Sequence, residues 1–150
     1  MSYTIARAKR EDIVACMTLN ALSMPETYSP QFWTLHYNQY GDMFFVAKAG
    51  EEVVGYVLCR DDTINRVRTG IVISIAVDAR YQGQGIGEEL MKRAHFAMRM
   101  RNIPMAGLQV RKTNKSAIAL YNKFGYRASL SIPNYYMNPP EDGWLMTYVL

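Results

Sequence analysis

The chain is short of several things, and each shortage closes off a class of protein. Its 150 residues hold two cysteines, Cys16 and Cys59, far apart and without metal-ligand spacing. Neither a disulfide framework nor a metal site is therefore expected, and both cysteines read as small core hydrophobes in a reducing cytoplasm. No apolar run approaches the roughly eighteen residues of a membrane span, and the opening MSYTIARAKRED has no apolar signal core. Charge is not massed either. Seventeen Lys and Arg are scattered among 13 Asp and Glu for a net +4, so neither a nucleic-acid nor a membrane partner is expected. No repeat, low-complexity tract or Pro/Gly/Ser-rich linker divides the sequence, which reads as one domain over residues 1–150.

What is present is a succession of short periodic segments. YTIARA (3–8) alternates like a strand. REDIVACMTLNAL repeats apolar residues at Ile13, Met17 and Ala21, a helical spacing, until SMPETYSPQ interrupts it with two prolines. A second helix is predicted from Pro30 towards Tyr40. MFFVAKA and EEVVGYVLCR read as strands about the turn AGEE, and TGIVISIAV (69–77) as a central strand buried on both faces. Ile86, Leu90, Ala94 and Ala97 mark one face of a long helix, with Glu88–Lys92 and Glu89–Arg93 as i,i+4 pairs on its wet side. MAGLQVR is a strand, NKSAIALYNKFGY a short helix ended by Gly125, RASLSI a strand, PNYYMNPPEDG a loop and WLMTYVL a last strand. The order is that of a mixed α/β domain: an open sheet of about seven strands with helices on both faces.

Between the central strand and the long helix lies DARYQGQGIGEELM, with Gly83, Gly85 and Gly87 at alternate positions. It is no Walker A loop, because Glu88-Glu89 stand where Lys-Ser/Thr are required. Nor is it a dinucleotide fingerprint, since the spacing is G-x-G-x-G and falls half-way along the chain. A glycine-rich helix start offers unpaired N–H groups and the positive end of a dipole to an anion, and lacks Cβ atoms to obstruct it. On spacing alone, a phosphate cradle and a plain turn both remain open.

The second half of the sequence weighs on that choice. RYQGQGIG (80–87) resembles the R/Q-x-x-G-x-G/A signature of the GNAT N-acetyltransferase superfamily through Arg80, Gly83 and Gly85. NKSAIALYNKFGY resembles the superfamily's N-x-x-A-x-x-L-Y-x-x-x-G-F/Y motif through Asn114, Ala117, Leu120, Tyr121, Gly125 and Tyr126. The resemblance implies a GNAT fold and acetyl-CoA as co-substrate, without a metal. It implies cofactor contacts from Ile75, Ala76 and Val77 on the central strand, from Arg80, Gln82, Gly83, Gln84, Gly85, Ile86 and Gly87 in the cradle, and from Asn114, Ala117 and Tyr121. By the same carry-over the Val77 N–H stabilises the oxyanion and Tyr121 protonates the departing thiolate.

Three stretches resemble one branch, the RimI-like and NatA-type protein N-terminal acetyltransferases. LSMPETY (22–28) is similar to their L-P-E-N-Y loop, VISIAVDARYQGQGIG to their strand and cradle, and NYYMNPPEDGWLM to their Y-Y-x-x-G-E-D-A-x-x-M tail, with a changed loop length and Gly143-Trp144 as a variation. The implied substrate is a polypeptide N-terminus, with an auxiliary or ribosomal partner as an option, and Glu26, Tyr28, Tyr135 and Tyr136 as substrate-side residues. One position departs. RimI-like enzymes carry a general-base Glu in L-E-V-R, whereas this chain reads LQVR, and the Gln109 amide accepts no proton at neutral pH. Gln109 is expected to orient a water or bind peptide backbone, and Glu26 becomes the candidate base. His36 and His95, on predicted helices, are expected to sit on the helix surface or to pack rather than catalyse. An α-amine target suits a weak base: about a tenth of such amines are neutral at pH 7, against several hundred-fold less of lysine side chains. The alternatives are a GNAT enzyme acting on lysine, a polyamine or another small amine, and a non-catalytic acyl-CoA-binding module.

Overall fold

The computed structural model describes residues 2–150. Seven strands form one sheet in the order β1-β2-β3-β4-β5-β7-β6. They are β1 (Thr4–Arg7), β2 (Phe44–Ala49), β3 (Glu52–Ile64), β4 (Val67–Val77), β5 (Met105–Arg111), β6 (Arg127–Met137) and β7 (Pro140–Val149). Helices α1 (Ile13–Ser23) and α2 (Pro30–Tyr40) lie in the β1–β2 connection, α3 (Ile86–Met100) between β4 and β5, and α4 (Lys115–Phe124) between β5 and β6. The central strands are buried because helices cover both faces. One apolar cluster joins α3 to Met43, Val57, Leu108 and Tyr126; the other joins α1 and α2 to Phe44, Tyr56 and Leu58. This is the α/β architecture expected, and the order of elements is the expected one.

Local chemistry sets most boundaries. Ser29 caps α2, accepting from the Phe32 N–H at 3.1 Å, with Pro30 at the first helical position. The buried face of α3 carries Ile86, Leu90, Ala94 and Ala97 as the periodicity predicts. Asn114 caps α4, and Gly125 ends it at φ +108°, where a Cβ would also come 3.0 Å from Tyr148. Asn65 and Arg66, at φ 49° and 68°, make the tight turn that lets β3 and β4 run on as one long hairpin.

Several expectations need correction. The inward residues of α1 are Ile13, Cys16, Leu19 and Asn20, whereas Ala21 is exposed, so the face is rotated from the one read off Ile13, Met17 and Ala21. Of the two predicted ion pairs on α3, Lys92 approaches Glu88 (3.8 Å) and Glu89 (3.4 Å), while Arg93 reaches the Ile5 carbonyl instead. The stretch read as a loop, residues 133–143, is largely a β-hairpin: β6 continues to Met137 and β7 begins at Pro140. A register shift between Ile132 and Tyr136, with Asn134 at φ 54°, absorbs the residues that read as punctuation. Both cysteines are buried and free, and burial pushes the Cys16 thiol up to about 12. Among the described residues no helix is long and apolar enough to cross a membrane.

Candidate active site

The functional region starts where the sheet comes apart. β4 and β5 are parallel neighbours, yet their ladder holds only Thr69–Met105, Gly70–Ala106 and Ile71–Gly107. Beyond Ile71 both strands continue without pairing. On its other side β4 stays joined to β3, with Ile73 as an extra residue between the Leu58–Ser74 and Cys59–Val72 pairs. Asp78 N–H donates to Val54 O at 2.8 Å, so by antiparallel alternation Ala76 faces β3 and the backbone groups of Ile75 and Val77 face the parting. A core strand thus presents two residues' worth of N–H and C=O groups to a gap. Gln82 Nε2 donates to Val77 O at 3.2 Å and so ties the glycine turn to the end of this strand.

The cradle itself sharpens the reading of the three glycines. Gly83 and Gly85 both take φ +82°, so the turn requires them whatever binds there. Gly87 does not: it lies in α3 with ordinary backbone, and a Cβ would meet only Val77 Cγ2 at 3.8 Å. Glu89 N–H is the first to bond back within the helix, to Gly85 O, leaving the N–H groups of residues 86–88 at the dipole's positive end. Gln84 Oε1 is buried with no hydrogen-bond partner, an acceptor that a ligand's donor would satisfy. Arg80 is tied elsewhere, to Asp78 (2.9 Å) and Glu52 (2.7 Å), and is exposed. These features fit acetyl-CoA: N–H groups for its diphosphate, and strand-edge groups and an orphan acceptor for its amide-bearing arm.

Tyr121 and Ala117 on α4 pack on the same apolar cluster as Ile75 and Val77, so the structure puts these four on one face of the sheet. Tyr121 keeps part of its surface open, yet desolvation pushes its phenol up to about 12, so it holds its proton across the neutral range. Asn114 spends its side-chain oxygen on the Ala117 N–H (3.3 Å) as a helix cap. The two histidines are buried: His36 Nδ1 lies 2.8 Å from Phe32 O, and His95 Nε2 lies 2.6 Å from Tyr126 Oη.

All five substrate-side residues meet in one groove of about 510 Å³. Glu26 and Tyr28 come from the α1–α2 loop, Gln109 from β5, and Tyr135 and Tyr136 from β6. Ile71 and Ile73 of β4 form its floor, so the groove abuts the point where the strands part. Tyr28 stacks on Phe32 at 4.4 Å, and Tyr135 stands edge-on to Tyr136 at 4.9 Å. Burial pushes the Tyr28 and Tyr136 phenols up, so both are hydrogen-bonding neutrals here. The Gly143 variation has a packing reason, since a Cβ would come within 3.1 Å of Tyr136 Cε2.

Sequence reasoning missed Arg111, the last residue of LQVR. Its guanidinium bonds Glu26 Oε1 at 2.5 Å and Glu141 Oε1 at 3.3 Å, and lies 4.3 Å from the Tyr136 ring centroid. The signal was available: an arginine ending a core strand, and an isolated Glu141-Asp142 pair in the tail. Phe32 and Arg60 also line the groove and went unremarked. Among the described residues no three His, Cys, Asp or Glu gather in a way that holds a metal.

Comparison with known proteins accounts for this arrangement. Residues 13–126 match the Acetyltransferase (GNAT) family. The chain belongs to the GNAT acetyltransferase family. Over 96% of this GNAT chain, an N-alpha-acetyltransferase of Sulfurisphaera tokodaii is 35% identical, with 91% of that relative covered. The human N-alpha-acetyltransferase 30 is 32% identical over 81% of the chain, which spans 34% of that longer protein. Among solved structures, Ard1 from Thermoplasma volcanium superposes with a TM-score of 0.90 at 25% identity, covering 100% of this chain and 99% of that one. Naa50 of Arabidopsis thaliana, in complex with the bisubstrate analogue CoA-Ac-MVNAL, shares the fold at 0.88 and 24%, each chain fully covered. This GNAT chain is an acetyl-CoA-dependent transferase.

Proposed function

We propose that the chain acetylates the N-terminal α-amine of a polypeptide, by direct transfer from acetyl-CoA. The observation that carries this is the groove at the parted strands, where the α1–α2 loop, β5 and the β6–β7 hairpin gather Glu26, Tyr28, Gln109, Tyr135 and Tyr136. A relative 35% identical over nearly the whole chain and named N-alpha-acetyltransferase supports the same reading. Acetyl-CoA supplies the thioester. The backbone of Ile75 and Val77 holds its arm, the N–H groups of residues 86–88 take its diphosphate, and Gln84 Oε1 accepts from one of its amides.

The neutral amine enters from the groove and attacks the thioester carbonyl. As the C–N bond forms, the Val77 N–H donates to the developing oxyanion. Glu26, directly or through a water, takes the amine's surplus proton; Gln109 orients that water or the peptide backbone. As the C–S bond breaks, Tyr121 gives its proton to the thiolate. The reading extends to cytoplasmic action, supported by two free buried cysteines, and to an auxiliary or ribosomal partner, supported by fold similarity to the NatC complex (TM-score 0.92).

The test is a pair of short peptides, one with a free α-amine and one N-blocked with an internal lysine, assayed by mass spectrometry. Acetylation of the free α-amine is expected. Preference for the blocked twin, or for a polyamine, sinks the proposal.

A further inference from the structure

We infer that Arg111 is a positioning residue: it clamps the two walls of the groove together and holds Glu26 in place for the peptide. The inference rests on the peptide-acetylating function proposed above and adds to it a residue to which that reading gave no role. Arg111 ends β5, the strand bearing Gln109, and its side chain is only 12% exposed. One wall is the α1–α2 loop, reached through Nη2 to Glu26 Oε1 (2.5 Å). The other is the β6–β7 hairpin, reached four ways: Nη1 to Pro139 O (2.8 Å), Nη2 to Asn138 O (3.1 Å), Nη1 to Glu141 Oε1 (3.3 Å), and the guanidinium face on the Tyr136 ring.

No other bond to Glu26's side chain is found among the described residues, so Arg111 alone fixes where its carboxylate stands. Glu141 is itself anchored, Oε2 accepting from the Thr113 N–H at 2.7 Å. The hairpin end of the clamp is therefore rigidly based, and the Glu26 end is the adjustable one. A planar fork is required here. A guanidinium serves two carboxylates, two carbonyls and an aromatic face at once, whereas an ammonium is a point charge with one centre to share. The arrangement even accepts a cost, because Arg111 Nε is buried with no acceptor. A residue that only filled space would not need five partners on two segments that touch the same groove.

The experiment compares the full-length chain with Arg111→Gln, Arg111→Lys, Glu26→Gln and the Glu26→Gln/Arg111→Gln double variant. Peptide kinetics at saturating acetyl-CoA, acetyl-CoA affinity by calorimetry, and amide hydrogen exchange over residues 24–28 and 134–140 are read for each. Displacing a catalytic group by about 1 Å costs on the order of 100-fold. Arg111→Gln is expected to lower kcat/KM for the peptide by about that factor, with much of the loss in KM, while acetyl-CoA affinity stays within about threefold. The double variant should be no worse than the poorer single one, because both substitutions break the same link. Arg111→Lys, which keeps the charge, should raise peptide KM about tenfold and speed exchange in both segments. Wild-type kinetics for a folded Arg111→Lys, multiplicative losses in the double variant, or unchanged exchange in both segments would each overturn the clamp. The exchange result decides it even if the wild-type chain leaves a free α-amine unacetylated, an outcome that refutes the parent function instead.

Discussion

Lowering the pH should strip stability from this protein through one side chain, His95. The imidazole is 4% exposed, 2.6 Å from Tyr126 Oη, and ringed by Phe124, Tyr126 and Tyr148. Desolvation, with Arg99's charge adding to it, pushes its pKa down from 6.5 to about 4. The folded value is depressed, so the unfolded chain takes up the proton first. The contribution is whole above about pH 6.5 and is lost as the pH falls towards 4. At about 1.4 kcal/mol per unit, the gap amounts to about 3 kcal/mol across that window, of which about 2 kcal/mol goes between pH 7 and pH 5. Carboxylates titrate in the same range, so the measurement must be a difference. Urea unfolding of the wild type and of His95→Gln, at pH 7 and pH 5, isolates it: the glutamine keeps an N–H for Tyr126 and removes the titration. His95→Gln is expected to lose about 2 kcal/mol less than wild type over that interval. Parallel pH curves for the two proteins would show that His95 takes up its proton equally in the folded and unfolded chains, and would refute the reasoning.

Other substitutions separate roles that the structure ties together. Tyr121→Phe should lower kcat about 10- to 100-fold with little change in peptide KM, read by steady-state kinetics; because the Tyr121 proton persists to about pH 12, the wild-type rate should show no alkaline fall from this group below about pH 10. Gly87→Ala should leave the melting temperature within a few degrees, since the added methyl meets only Val77, yet raise acetyl-CoA KM about tenfold. Gly85→Ala, forced to φ +82°, should instead cost about 1 kcal/mol of stability in a denaturant titration. Gly70→Ala should destabilise by about 1–3 kcal/mol, because its Cβ would fall 2.5 Å from Met98 Sδ in the α3–β4 packing.

Sequence periodicity revealed α3 because its apolar stripe is continuous from Ile86 to Ala97 and faces a single layer of the sheet. It misplaced the face of α1 because that helix is apolar on several sides; Val14 and Leu22 are apolar and exposed. Residues 133–143 looked like a loop because Pro133, Asn134, Pro139 and Pro140 are turn formers by local preference. Pairing with β7 overrides that preference, and β6, an edge strand, tolerates a proline and a bulge. The cradle was legible in its glycines, although two of the three serve the backbone first. Arg111 was legible as a charge ending a core strand but not as a link to Glu26 and Glu141, since those partners lie 85 residues before it and about 30 after it, and only the fold makes them neighbours.

The parting of β4 and β5 makes the folded population a gauge of the acetyl-CoA and CoA it meets. Unpaired amides on the far half of a core strand exist only when the rest of the sheet is assembled, so the acetyl donor has no comparable affinity for the unfolded chain. By mass action, a donor concentration one hundred times its dissociation constant raises unfolding free energy by about 2.7 kcal/mol. CoA shares the arm and diphosphate, so the protection follows the two together: where both are scarce, more of the protein unfolds, and where either is abundant, less does.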